Sequence, residues 1–206
     1  MVKSKTTRSR TESRDVRRKQ ILRAARILLS QKRFEDVRME DVASKSNLAK
    51  GTLYLHFKDK SQIMVAVHDD LLNELDQILL NQKEFQGKKL LWQTAQTSLD
   101  FLKKNHDFFL QFSQTRLALA GPHRMVVLKR FQKHMDTIKT IISKASKKDG
   151  IPKPRGYMEP LFFISLIRMF WEKKQLPAMK ENVDQVDLLV NMFLHGADGF
   201  KKDIKQ

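Results

Sequence analysis

The sequence has no cysteine among its 206 residues. That single absence removes disulfide frameworks, thiolate zinc sites, iron–sulfur clusters and cysteine nucleophiles. Glycine (7) and proline (5) are scarce and continuous β-branched runs are few, which argues against a sheet-rich fold and for helices. Long apolar runs are missing as well. The longest, LFFISLIRMFW at 161–171, is broken by Arg168 and falls short of the roughly 20 residues a membrane span needs, so no membrane association is expected. The N-terminal MVKSKTTRSR has no apolar stretch behind its charges, so a secretory signal is not expected and a cytoplasmic location is. Acidic residues are in deficit too: 23 Asp and Glu face 40 Lys and Arg, a net charge of +17, which points to an acidic partner. With 41% hydrophobic residues the chain is nonetheless globular.

The positive charge is unevenly placed. Residues 1–60 hold 17 Lys and Arg against 7 Asp and Glu, a net of +10, leaving +7 for the other 146 residues. The first 13 residues read as a disordered basic arm. From about Arg14 to Gln31, Ile21, Ala24, Ala25 and Leu28 fall at i, i+3, i+4 and i+7, the spacing of one helical face. Two short helices follow. In the first, from Val37 to Ser46, Met39, Val42 and Ala43 share a face, and the second runs from Ala49 to Phe57. Asn47 is the natural turning residue between them, because asparagine tolerates the left-handed conformation. Asp59 with Gln62 forms a capping-box pattern for a fourth, longer helix to about Leu80, through Ile63, Val67, Leu71, Leu75 and Ile78. Five more helices are expected at roughly 88–104, 106–120, 123–147, 157–174 and 182–197.

Three short helices in a strongly basic segment, with a tight turn before the third, outline a helix-turn-helix DNA reader. The third helix must enter the major groove while its inner face packs on the first two. In AKGTLYLHF, Leu53 and Phe57 form that inner face, leaving Lys50, Gly51, Thr52, Tyr54 and His56 for DNA. Gly51 permits close approach of the backbone, Tyr54 carries a hydroxyl for phosphate, and Lys60 stands at the N-terminus of the next helix, where free amides also attract phosphate.

The segment from about Ile21 to Ile63, above all KGTLYLHFKDK, resembles the N-terminal domain of TetR-family transcriptional regulators. The resemblance implies an all-α protein with a three-helix DNA-binding domain at 14–62, a linking helix at about 60–80, and a ligand-binding and dimerisation domain over 63–206. It implies DNA contacts from Lys50, Thr52, Tyr54, His56 and Lys60, with Tyr54, His56 and Lys60 on phosphates. Three positions depart from the family pattern. Arg38 and Ala49 stand where Ser or Thr usually caps a helix, each missing cap costing about 1 kcal/mol, and Asn47 replaces a usual glycine. Arg38 can donate to phosphate instead. The resemblance also implies a homodimer built on the last two helices, with Phe162, Met169, Val186, Val190, Phe193 and Ala197 at its interface, and a palindromic double-stranded operator released when a small ligand binds.

The C-terminal region matches no specific motif. Trp92, Phe101, Phe108, Phe112, Met125, Met135, Phe163 and Phe170 each read first as plain core at helical spacing, and together they are candidates to line a pocket for a small, largely apolar ligand, since methionine adapts to irregular shapes. Arg124, Lys129, Arg130 and Lys133 would favour an anionic head group, although most of them are expected at the exposed surface. His68, His106, His123, His134 and His195 show no ligand-pair spacing, so no metal and no cofactor are expected. GxSxG, P-loop, GxGxxG and HExxH patterns are all missing, so no enzymatic activity is expected. Two functions fit: a site-specific regulator, most simply a repressor, or an architectural DNA-binding protein that answers no ligand.

Overall fold

A computed structural model describes residues 4–173 and 184–196 of the chain. Among the described residues there are nine α-helices and no strand: α1 (Ser4–Gln31), α2 (Met39–Lys45), α3 (Lys50–His56), α4 (Lys60–Leu80), α5 (Gly87–Lys104), α6 (His106–Thr115), α7 (Gly121–Ala145), α8 (Met158–Lys173) and α9 (Gln185–His195). The periodicity locates all nine to within a few residues, except at two ends. Helix α1 begins at Ser4, ten residues ahead of the expected start, so residues 4–13 are helical instead of a disordered arm. No glycine or proline interrupts the chain before Gly51, so nothing in the sequence stops the helix from extending backward. Helix α6 ends early, at Thr115, and passes into a 3₁₀ turn at Arg116–Ala118.

The chain divides into two compact units, Met1–Leu71 with Asn105–Leu128, and Leu72–Lys104 with Lys129–Gln206. The first holds α1, α2, α3 and α6, with the opening stretches of α4 and α7. Its core is Ile21, Leu22, Ala25, Leu28, Val42, Leu53, Phe57, Ile63, Met64 and Phe108, all buried. Residues 63–68 of α4 are buried without a break, so this part of the helix is enclosed on every side rather than along one stripe. Helix α6 lies against α1. Arg26 Nη2 donates to Asn105 Oδ1 at 2.5 Å, and Gln111 Nε2 donates to the carbonyls of Leu29 (2.7 Å) and Lys32 (2.9 Å), which the end of α1 leaves without helical partners. The His68 ring stacks on Phe112 at 3.9 Å.

The second unit comprises α5, α8 and α9 with the remaining parts of α4 and α7. Leu75, Leu79, Leu90, Leu91, Ile138, Ile141, Phe163, Leu166, Leu189 and Val190 are buried in it. The expected stripe on α4 errs at its end: Ile78 is exposed and Leu79 is buried in its place. Helix α8 buries Phe163, Leu166, Ile167, Phe170 and Trp171 while leaving Met158, Leu161, Phe162 and Met169 exposed, so it is apolar on two sides and covered on one. Asp184 caps α9, its carboxylate accepting the amides of Val186 (2.9 Å) and Asp187 (3.3 Å). Gly87, at φ +54°, opens α5. A Cβ there would come within 1.8 Å of Asp149 Oδ2, the oxygen that accepts the Lys88 amide at 2.7 Å, so only glycine fits.

Candidate nucleic-acid interface

The turn between α2 and α3 is closed as its residues require. Asn47 sits at φ 51°, and the amides of Asn47 and Leu48 donate to Ser44 O and Ala43 O, each at 3.0 Å, closing the C-terminus of α2. From α1, Gln20 Nε2 donates to the Ser46 carbonyl at 2.7 Å and so fastens the turn to the first helix. Leu53 of α3 and Phe57, which caps its C-terminus, are fully buried, the inner face expected from their spacing. The Arg18 guanidinium lies 4.8 Å from the Phe57 ring centre, covering the end of this core with a cation.

Both uncapped positions are seen directly. Ala49 offers nothing to the first amides of α3. At α2 the Arg38 amide donates to Asp41 Oδ2 at 3.2 Å, half of a capping box, but the guanidinium, a pure donor, supplies no reciprocal acceptor. The exposed Arg38 side chain stands at the N-terminus of α2. Helix α4 is better capped. Asp59 Oδ1 accepts the Gln62 amide at 2.7 Å, and Gln62 Oε1 reaches back to the Lys58 amide at 2.7 Å, one residue beyond the usual box.

The candidate contact residues fall together on α3 and the two helix starts beside it, but they are not equivalent. Lys50, Gly51 and Tyr54 are exposed, and Thr52 and His56 are half-buried. Gly51 has no heavy atom within 4 Å of where a Cβ would stand and its φ is not positive, so nothing in the chain itself requires glycine there. Lys50 is paired with Glu40 of α2, which raises the lysine pKa and lowers that of the carboxylate through their mutual hydrogen bond. His56 is held below the ordinary imidazole value by burial first and then by the positive field of Arg14, Arg18 and Arg17. Lys60 departs most from expectation. Its ammonium donates to the carbonyls of Phe34 and Glu35, both at 2.9 Å, and lies 4.7 Å from the Phe34 ring centre. It ties the 3₁₀ turn at Phe34–Asp36 to the start of α4 before any phosphate is considered.

One outward residue escapes the sequence reading. Leu55 is the most exposed large apolar side chain of α3, at 80%. Its position between Leu53 and Phe57 is the signal: two residues from either inner residue, at about 100° per residue, turns it some 200° away. A protruding leucine beside Gly51 and Tyr54 has the chemistry to contact the methyl of thymine.

The residues expected to line a ligand pocket are divided. Phe108, Phe112 and Met125 belong to the first unit and Trp92, Phe101, Met135, Phe163 and Phe170 to the second, and Met125 is 53% exposed. The set therefore does not form one lining within either unit. Arg130 is no surface cation. It is buried with Asp76 and His134, the Asp76 carboxylate accepting from Arg130 Nη2 and lying 2.6 Å from His134 Nδ1. Burial alone would push the Asp76 carboxyl up, but His134 and then Arg130 outweigh it and hold it below the usual carboxylate value.

The interface residues divide as well. Phe162 and Met169 are exposed at 44% and 46%, whereas Val186 and Val190 are consumed by the chain's own core. Phe193 packs its ring 4.9 Å from Phe163 and 6.1 Å from Phe162 within the same chain, and Ala197 lies outside the described residues.

Among the described residues no helix is long and apolar enough to cross a membrane, and no group of three or more His, Asp or Glu side chains is placed to hold a metal ion.

Comparison with known proteins bears on the same segment. Residues 21–67 match the family described as bacterial regulatory proteins, tetR family. Over 174 residues the chain is 25% identical to YhgD of Bacillus subtilis, an uncharacterized HTH-type transcriptional regulator, covering 81% of this chain and 90% of the relative. Among solved structures it resembles the transcriptional regulator FadR from Bacillus subtilis in complex with stearoyl-CoA (TM-score 0.68, 16% identity, 86% of this chain and 97% of that one). It also resembles AibR in complex with isovaleryl coenzyme A and operator DNA (TM-score 0.61, 19% identity, 86% and 98%). At these identities the structural likeness establishes the fold.

Proposed function

From the premise that this chain belongs to the TetR family of transcriptional regulators, we propose that it is a homodimeric repressor that reads a palindromic operator through α3 and leaves it when an acyl-coenzyme A thioester binds. The observation that carries the DNA reading is the outer face of α3. Gly51 has open space around it, and Tyr54 and Leu55 project from a helix whose inner face is fully spent on the core. Lys50 and Tyr54 take phosphate or base-edge contacts, Thr52 and Leu55 face base edges, and His56 and Arg38 reach phosphates. Lys60 acts chiefly by fixing the start of α4, whose N-terminal amides face the phosphate backbone.

Two copies related by a twofold axis would place their α3 helices one helical turn apart, about 34 Å, or a modest extension of it. The exposed face of α8, with Phe162 and Met169, is the interface this reading assigns to the dimer. The ligand class is drawn from the two similar solved structures that are complexes with stearoyl-CoA and isovaleryl coenzyme A, and it agrees with a ligand having an apolar chain. A coupling of about 1–3 kcal/mol between ligand and operator suffices for the switch.

The test is fluorescence anisotropy on operator DNA with Lys50→Ala and Tyr54→Ala, followed by titration with stearoyl-CoA and isovaleryl-CoA. Both variants should bind more weakly while their fold and dimer survive, and one thioester should displace the wild-type protein. Unaltered affinity in both variants refutes the role of α3. Displacement by neither thioester refutes the ligand class.

A further inference from the structure

On the first unit, a groove of about 450 Å³ runs along α1 beside the C-terminal end of α2. Val16, Ala24 and Ile27 supply its apolar surface, and Lys19, Arg23 and Lys45 surround it with positive charge. No carboxylate lines it, and neither does any residue assigned above to DNA. Val16 is 64% exposed and Ile27 42%, so their apolar side chains are open to solvent along this face of the helix. They are eleven positions apart with Gln20 and Arg23 between them, so the four lie on one stripe of α1 about three turns, or roughly 16 Å, long. Gln20 is held by its hydrogen bond to the Ser46 carbonyl, which fixes that wall of the groove.

We propose that this groove is a docking site for an acidic amphipathic helix of another protein. An exposed strip three turns long matches the apolar face of a short helix, and the three cations match carboxylates flanking that face. A small ligand would remain half in water on so open a surface, unlike one in an enclosing pocket. A second copy of this chain is disfavoured, because it carries a net charge of +17 toward a cationic rim. DNA would meet the rim well but would set sugar and phosphate against Val16 and Ile27. The proposal stands apart from the operator reading, since the groove and the outer face of α3 share no residue.

The experiment uses the full chain and a synthetic helical peptide of about four turns, with leucines at i, i+3, i+4 and i+7 and glutamates on the flanks. Controls are the same composition scrambled and a lysine-flanked version. Binding is measured by calorimetry, and the site is located by amide chemical-shift changes. The proposal expects binding of the glutamate peptide with shifts centred on Val16, Gln20, Arg23, Ile27 and Lys45. It expects about tenfold weaker binding in Ile27→Asp and a preference reversed toward the lysine-flanked peptide in the double variant Arg23→Glu, Lys45→Glu. Equal binding of the scrambled peptide, or binding untouched by Ile27→Asp, would mean simple charge attraction and overturn it. No peptide binding, together with operator affinity reduced by the double variant, would assign the rim to DNA and overturn it equally.

Discussion

Replacing Gly51 by alanine separates what the fold needs from what DNA needs. Within the chain the added methyl meets nothing within 4 Å, and the residue already has helical backbone in α3. Alanine is a better helix former than glycine by about 0.5–1 kcal/mol, with the lower end appropriate to a first helical turn. The variant should therefore be slightly more stable, by a rise in melting temperature of about 1–4 °C for a chain of this size. On the proposed reading, the same methyl would stand where the helix backbone approaches the duplex. If it lengthens one charge-assisted hydrogen bond in each half-site, each loss is about 1.5–3 kcal/mol, so the two together should lower operator affinity by at least about a hundredfold. Thermal unfolding followed by circular dichroism reads the first effect, and anisotropy at fixed salt reads the second. A variant that is more stable and binds the operator unchanged would refute the close approach of α3 at this position. A variant that is less stable would refute the claim that the chain itself has no use for the glycine.

Further outcomes follow from the pairings seen in the structure. Glu40→Gln releases Lys50 from its partner and removes a negative charge beside α3, so it should tighten DNA binding at low salt with the melting temperature unchanged; weaker binding would mean that Glu40 orients Lys50 for the contact. Asp76→Asn leaves Arg130 and His134 buried without their counter-charge and should cost about 3–5 kcal/mol in urea unfolding at neutral pH. Because the folded Asp76 carboxyl is held below its ordinary value, its stabilisation is present above about pH 4 and lost as the pH falls through the folded value. The variant should lack that acid-side decline, and a wild-type decline fully retained in Asp76→Asn would show that other carboxylates set it. Met169→Asp places charge on the exposed face of α8 without touching the protomer core and should yield a monomer on a sizing column; a dimer would place the interface elsewhere.

What the sequence makes legible is local. Leu53 and Phe57 face inward on α3, Asn47 takes the left-handed turn and Asp59 caps α4, because spacing and side-chain chemistry within a few residues decide each. The parts that are not legible depend on partners far along the chain. Helix α6 joins the unit that carries α3 through Gln111 and Asn105, about eighty residues from the carbonyls and the guanidinium they meet on α1. Asp76 meets Arg130 and His134 across separations of 54 and 58 residues, so no ligand-pair spacing reveals the cluster and Arg130 reads as a surface cation. Lys60 looks like a free phosphate donor until the 3₁₀ turn at Phe34–Asp36 is folded against it. Val186 and Val190 form a regular stripe, and a stripe alone does not say whether its own protomer or a second copy covers it.

The central claim is that α3 reads a specific site as part of a twofold dimer. Selection of sequences from a random double-stranded DNA pool by the purified protein at near-physiological salt tests it most directly. The account predicts a palindromic consensus with half-sites about one helical turn apart, lost when Gly51, Lys50 or Tyr54 is replaced. Retention of unrelated sequences with similar affinity, collapsing as salt rises, would contradict it and favour an architectural DNA-binding protein.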